Sequence, residues 1–223
     1  MVDFPAPGMP VRQTISFVIV YQKLNSSMKL PEIIIKIHQK KVVMRTFVAI
    51  EISNDDVKKS IKDFQNNLKI NAKPVSLEQL HFTLQFLGEI SEQQAQKVIE
   101  SLKKIEFSEF AISLKGIGVF PKPKFPRVIW VGTDEKGGKN LIELAKKVET
   151  VLKPLGLVSD KPFKPHITIF RIKKKIVDIT EDLNKQRVTD FGMQKISSIK
   201  LKKSELTSEG PIYSDLEEVI AVK

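Results

Sequence analysis

Residues 81–84 read His81-Phe82-Thr83-Leu84, and residues 166–169 read His166-Ile167-Thr168-Ile169. Both follow the pattern His, apolar, Thr, apolar, and each opens a short apolar run with the character of a strand. Successive side chains of a strand point to opposite faces. His81 and Thr83 therefore share one face, while Phe82, Leu84 and Phe86 are expected on the other, in a core. The same alternation sets His166 and Thr168 against Ile167 and Ile169. Each motif offers one imidazole and one hydroxyl, about 7 Å apart along the strand. Two such strands side by side make a polar site of two His and two Thr.

The rest of the composition narrows what that site does. The chain has 223 residues, three His and no Cys. Without Cys there are no disulfides, no thiolate nucleophile and no Cys-based zinc or iron–sulfur site. Neither motif contains an acid, so a His-rich metal site is also a poor fit, and no nucleophile marks a Ser–His–acid triad. Lys and Arg number 37 against 26 Asp and Glu, a formal charge of +11 that favours an anionic partner such as nucleic acid.

Residues 1–43 look unlike the remainder. They open with Pro5, Pro7, Gly8 and Pro10 and carry six basic and two acidic residues, so +4 of the charge lies there. Met44 opens MRTFVAIEI, which reads as a native start running into a strand. The segment is expected to be an N-terminal extension from a non-native start, ahead of a body at 44–223. No apolar run is long enough to span a bilayer, and no signal-peptide pattern is present, so a cytoplasmic protein is expected.

Along the body, Arg45–Ile52 predicts a buried strand. Asn54 with Asp55 and Asp56 predicts the start of a helix over 55–69. Gln79–Leu87 predicts a strand, and Ser91 with Gln94 a capping box before a helix to about 105. Strands are expected at Phe107–Leu114 and Arg127–Gly132, a turn at Glu135–Gly138, and a helix through Leu141, Leu144, Val148 and Val151, ended by Pro154 and Gly156. His166–Ile172 predicts a strand and Asp178–Gln186 a short helix. Gly192–Leu206 and Ile212–Val222 are expected to form a closing hairpin. This mixture argues for an α+β fold with largely antiparallel sheets.

Paired acid–base chemistry suits two His and two Thr. An imidazole titrates near pH ~6.5, so one ring acts as base and another as acid at working pH. Hydroxyls and nearby cations stabilise an anion. A base for water, an acid for a leaving oxygen and donors for a phosphoryl group together fit a phosphodiester.

HFTLQFLGE and KPHITIFRI resemble the motifs of the 2H phosphoesterase superfamily. With MRTFVAIEI and FPRVIWVG, residues 44–223 resemble its RNA 2′,3′-cyclic phosphodiesterases, also called 2′-5′ RNA ligases. The resemblance implies a bilobal, pseudo-two-fold fold with two antiparallel-rich sheets and flanking helices around a central cleft, its lobes intertwined. It implies metal-independent hydrolysis of RNA 2′,3′-cyclic phosphate ends to 2′-phosphomonoesters, without a cofactor. His81 would protonate the 3′ leaving oxygen and His166 would activate water. Thr83 and Thr168 would donate to phosphate oxygens, joined by Arg171. Arg171 stands an odd number of places from His166, so it needs a strand end, bulge or twist to reach the site. Arg127, Trp130 and Phe163 are candidate nucleotide contacts, although three-residue spacing puts Arg127 and Trp130 on opposite faces. Lys122, Lys124 and Lys173–Lys175 are candidates to follow RNA phosphates. His38 lies outside the resemblance. The expected partner is an RNA with a cyclic phosphate end, tRNA fragments included, with no membrane and a monomeric chain. The alternatives are 2′-5′ ligation by the reverse reaction and a non-catalytic RNA-end-binding module.

Overall fold

The computed structural model describes residues 43–173, 178–186, 188–208 and 210–222. Residues 1–42 of the expected extension lie outside them, with His38, Lys174 and Lys175.

The sheet is built from β1 (Val43–Glu51), β2 (Lys73–Pro74), β3 (His81–Ser91), β4 (Phe110–Phe120), β5 (Val128–Thr133), β6 (Ile167–Arg171), β7 (Asp190–Ile196), β8 (Ser198–Leu206) and β9 (Pro211–Ile220). Its order is β7-β4-β5-β6-β3-β1-β8-β9, with β2 added beside β6. Every pairing between these strands is antiparallel. Two four-stranded halves meet where β3 and β6 touch at one register pair, Phe82 with Ile167. The two expected sheets are thus two halves of one continuous path, and the two His-x-Thr strands are its central pair.

Helices α1 (Asp55–Asn67), α2 (Glu92–Leu102), α3 (Glu135–Leu152) and α4 (Thr180–Lys185) connect the strands. The Asn54 side chain accepts from the Asp56 and Val57 amides and caps α1, which buries Val57 and Ile61 one turn apart. The Ser91–Gln94 capping box forms at α2. Helix α1 packs on β7 and β6, and α3 packs on β4 and β3. Ile61, Phe82, Leu114, Ile129, Leu141, Ile167 and Ile169 are among the fully buried side chains of the shared core.

Two expectations need correction. Glu135–Gly138 is the first turn of α3, not a free turn. Asp134 caps it by accepting from the Gly137 amide at 2.9 Å, and a Cβ on Gly137 would stand 2.8 Å from the Ile112 side chain. The glycine is there for close helix–strand packing. The stretch 192–206 is also not one arm of a hairpin. Its buried positions pass from Ile196 to Ile199, a step of three that breaks the period of two. β7 therefore pairs with β4 at one edge of the sheet, while β8 pairs with β1 and β9 near the other.

Candidate active site

The central register decides the site. The single register pair is Phe82 opposite Ile167, and antiparallel geometry about it brings His81 toward Thr168 and Thr83 toward His166. All four lie on the face away from Phe82 and Ile167, which are completely buried. The two imidazoles are diagonal neighbours, a relation that spans about 7–8 Å between strand positions.

Both rings are held in the same way. His81 Nδ1 lies 2.7 Å from the Gln79 carbonyl oxygen, and His166 Nδ1 lies 2.6 Å from the Lys164 carbonyl oxygen. A carbonyl only accepts, so Nδ1 carries the proton in each neutral ring and Nε2 is left with a lone pair. Each ring also sits between two aromatics of its own half-sheet. His81 meets Phe47 and Tyr213 at 5.1 and 5.4 Å between centroids, and His166 meets Phe120 and Trp130 at 5.0 and 6.2 Å.

Those aromatic walls make protonation costly. Burial is the main cause that pushes His81 down to about 4; the Gln79 carbonyl opposes it, while Lys202 and Arg171 push further down. Burial also lowers His166, against the Lys164 carbonyl and with help from Arg171. Both rings are therefore neutral at pH ~7 before an anion arrives.

Arg171 acts on both imidazoles because β6 is bulged. Thr168 pairs with Trp130, yet Phe170 pairs with Ile129, so Ile169 is an extra residue in the ladder. The buried pair Ile169 and Phe170 marks the change of phase, after which Arg171 is exposed. β3 does the same three residues after its His: Thr83 pairs with Ala49 and Gln85 with Val48, leaving Leu84 as the extra residue. Phe86 is consequently on the His81–Thr83 side, 74% exposed. The expectation that Phe86 packs in the core is overturned by that bulge. Phe86 and Arg171 hold the same place in the two motifs, five residues after each His.

Trp130, paired with Thr168 and Gly118, stands on the site face, its ring 5.3 Å from Phe120. A Cβ at position 118 would lie 2.1 Å from the indole, so glycine is required there. Among the described residues the buried indole N–H has no hydrogen-bond partner. Arg127 is exposed just before β5, and its carbonyl accepts from the Ile172 amide. Phe163 is partly buried against the core. Lys122, Lys124 and Lys173 are exposed.

Beside His81 lies a group that sequence reasoning missed. Glu51, the register partner of His81, and Asp215 are bridged by Lys200 at 2.6 and 2.7 Å and also by Lys202. Burial opposes ionisation of both carboxyls, but hydrogen bonds from the lysines outweigh it and hold them below their usual range. Burial likewise works against the charge on Lys200, and its two carboxylates override that and raise its pKa. Glu51, Lys202 and Asp215 line a pocket of about 490 Å³ with Glu78, Gln79 and Tyr213. Among the described residues no group of three His, Asp or Glu is placed to hold a metal ion.

The family model for LigT-like phosphoesterases matches residues 50–130 and again 131–213, one match per His-x-Thr motif. An RNA 2′,3′-cyclic phosphodiesterase of Archaeoglobus fulgidus is 39% identical over 175 residues, covering 78% of this chain and 98% of the relative. One of Aquifex aeolicus is 42% identical over 183 residues, covering 79% and 96%. The crystal structure of TT0787 of Thermus thermophilus superposes with a TM-score of 0.67 at 29% identity, covering 79% of this chain and 97% of that one. The fold of apo Escherichia coli LigT matches with a TM-score of 0.66 at 23% identity, over 81% and 99%. With two matches spanning most of the body, each around a His-x-Thr strand, the chain belongs to the LigT-like phosphoesterase family.

Proposed function

We propose that this protein is an RNA 2′,3′-cyclic phosphodiesterase that opens the cyclic end to a 2′-phosphomonoester. The observation that carries this reading is the pair of imidazoles on one face, each with Nδ1 tied to a carbonyl and Nε2 free. The names of the relatives support the same chemistry.

In this mechanism His166 Nε2 takes a proton from water as its oxygen attacks phosphorus. The bond from phosphorus to the 3′ oxygen breaks, and His81 Nε2 delivers a proton to that oxygen. One water is consumed, and the two rings exchange roles in protonation, to be reset through solvent. His81 is neutral in the free protein, so it must acquire its proton with the substrate. The phosphodiester anion supplies the negative charge that favours imidazolium at that position. Thr83 and Thr168 donate to the non-bridging oxygens, and Arg171 offsets their growing charge. Phe86 gives the nucleobase an exposed aromatic face to stack on.

The test is incubation with 2′,3′-cyclic AMP followed by identification of the product isomer. The expected product is the 2′-phosphate. His81→Ala and His166→Ala should each lower kcat by about 10²–10⁴-fold. Turnover unaffected by either change would overturn the mechanism, and a 3′-phosphate product would reject the assigned leaving oxygen.

A further inference from the structure

We propose that the surface running from Lys122 to Phe125, beside His166, carries the RNA chain upstream of the reacting end, with Phe125 stacking a base. This rests on the phosphodiesterase reading above and extends it to a site outside the reacting nucleotide.

The placement argues it. Phe120 lies 5.0 Å from His166 and leads directly into Pro121, so this loop begins at the imidazole itself. The Arg127 amide donates to the Phe120 carbonyl at 2.7 Å and closes the loop at its base. Lys122, Lys124, Phe125 and Arg127 are all exposed around it. Phe125 is 52% exposed, and the Lys122 ammonium lies 5.5 Å from its ring centre. Lys164 and Lys173 add exposed positive charge from the segments that flank β6. Among the described residues no ion pair is made by Lys122, Lys124, Arg127, Lys164 or Lys173. Asp178 senses Lys124 electrostatically without pairing with it.

Unpaired cations interleaved with an exposed aromatic suit single-stranded RNA, whose phosphates take the charge and whose bases take the ring. The other exit from the site does not. Next to His81, Lys200 and Lys202 are consumed by Glu51 and Asp215, and Glu78 adds an exposed carboxylate. Among the described residues lining that pocket the one cation is Lys202, which is already paired, so a polyanion leaving that way meets mostly carboxylates. Upstream of the reacting nucleotide, whose 3′ oxygen faces His81, the RNA chain therefore turns across the cleft onto the His166 half.

The experiment has a binding arm and a turnover arm. Fluorescence anisotropy follows a 5′-labelled six-nucleotide RNA ending in a 2′-phosphate. Turnover is measured on 2′,3′-cyclic AMP and on the same RNA with a cyclic end. Phe125→Ala should weaken RNA binding about five- to a hundredfold. The double variant K122A/K124A should weaken it and reduce the log–log salt slope by about 1.4, for two lost phosphate contacts at roughly 0.7 each. Turnover of the cyclic mononucleotide should stay within twofold. K104A/K146A removes the same charge beside a pocket between α3 and the segment that follows α2 and should leave RNA binding unchanged. Unchanged RNA binding in F125A and K122A/K124A overturns the proposal, as does an equal loss in K104A/K146A. So does a parallel loss on mononucleotide and RNA, which would mean the loop serves the reacting end. If wild type binds the RNA but opens no cyclic end, the function fails and the binding arm still decides the surface.

Discussion

Around His81 the nearby lysines are spoken for: Lys200 and Lys202 are clamped between Glu51 and Asp215. Around His166, among the described residues, Lys122, Lys124, Arg127, Lys164 and Lys173 make no ion pair, and Arg171 rather than Phe86 follows the bulge. Everything closest to the two imidazoles is nevertheless alike, from the carbonyl two residues upstream to the hydroxyl two residues downstream and the aromatic walls. The shared parts hold two rings in one tautomer. The differing parts set a cation, Arg171, past one bulge and an exposed aromatic ring, Phe86, past the other. A near-symmetric pair of imidazoles thus sits in asymmetric surroundings.

The largest expected loss comes from Arg171→Ala. It should lower kcat by about 10²–10³-fold, the usual loss for a group that stabilises developing charge. Because Arg171 depresses both imidazoles, the variant should also raise both pKa values, readable in the ring proton shifts by NMR. An increase at His166 alone would remove Arg171 from the shared centre.

Next in size is a stability effect that belongs chiefly to the His81 side. Folding lowers His81 from 6.5 to about 4. Above pH 6.5 neither state binds the proton and the native state keeps its full stability. As pH falls from ~6.5 towards ~4 the unfolded chain takes up the proton first, and about 3 kcal/mol is lost. Urea titrations at about pH 7 and about pH 4 should show a smaller pH dependence in His81→Gln than in wild type. Equal dependence in the two proteins would contradict the buried neutral ring.

The smallest expected effect sharpens the His166 wall. Gly118→Ala drives a methyl into the Trp130 indole and should cost about 1–3 kcal/mol of stability with a change in tryptophan fluorescence. An unshifted urea midpoint with unchanged emission would show that the ring has room to move.

Much of the site is legible in the sequence because its signals are local. The His-x-Thr repeat, the apolar residues between, the caps at Asn54 and Ser91 and the stop at Gly156 each act within a few residues. Phe86 defeats that reading, since strict alternation does not survive a bulge. Arg171 raises the same problem from the other side: its odd spacing demands a bulge, and β6 contains one at Ile169. The repeated fifth position, Phe in one motif and Arg in the other, is the available signal for both. Lys200, Lys202 and Glu51 offer none, because sequence separations of 149 and 151 are bridged only when β8 lies against β1.

Residues 81–84 and 166–169 alone imply two short strands that each present an imidazole and a hydroxyl opposite an apolar face, because side-chain direction in a strand follows the chain's own period. Which residues past the bulges join them, and which of the described lysines are held in ion pairs, came from the assembled sheet. Parity changes when a residue drops out of the ladder, and ion pairs form between strands distant in sequence. Both depend on the neighbouring strand, which local alternation does not record.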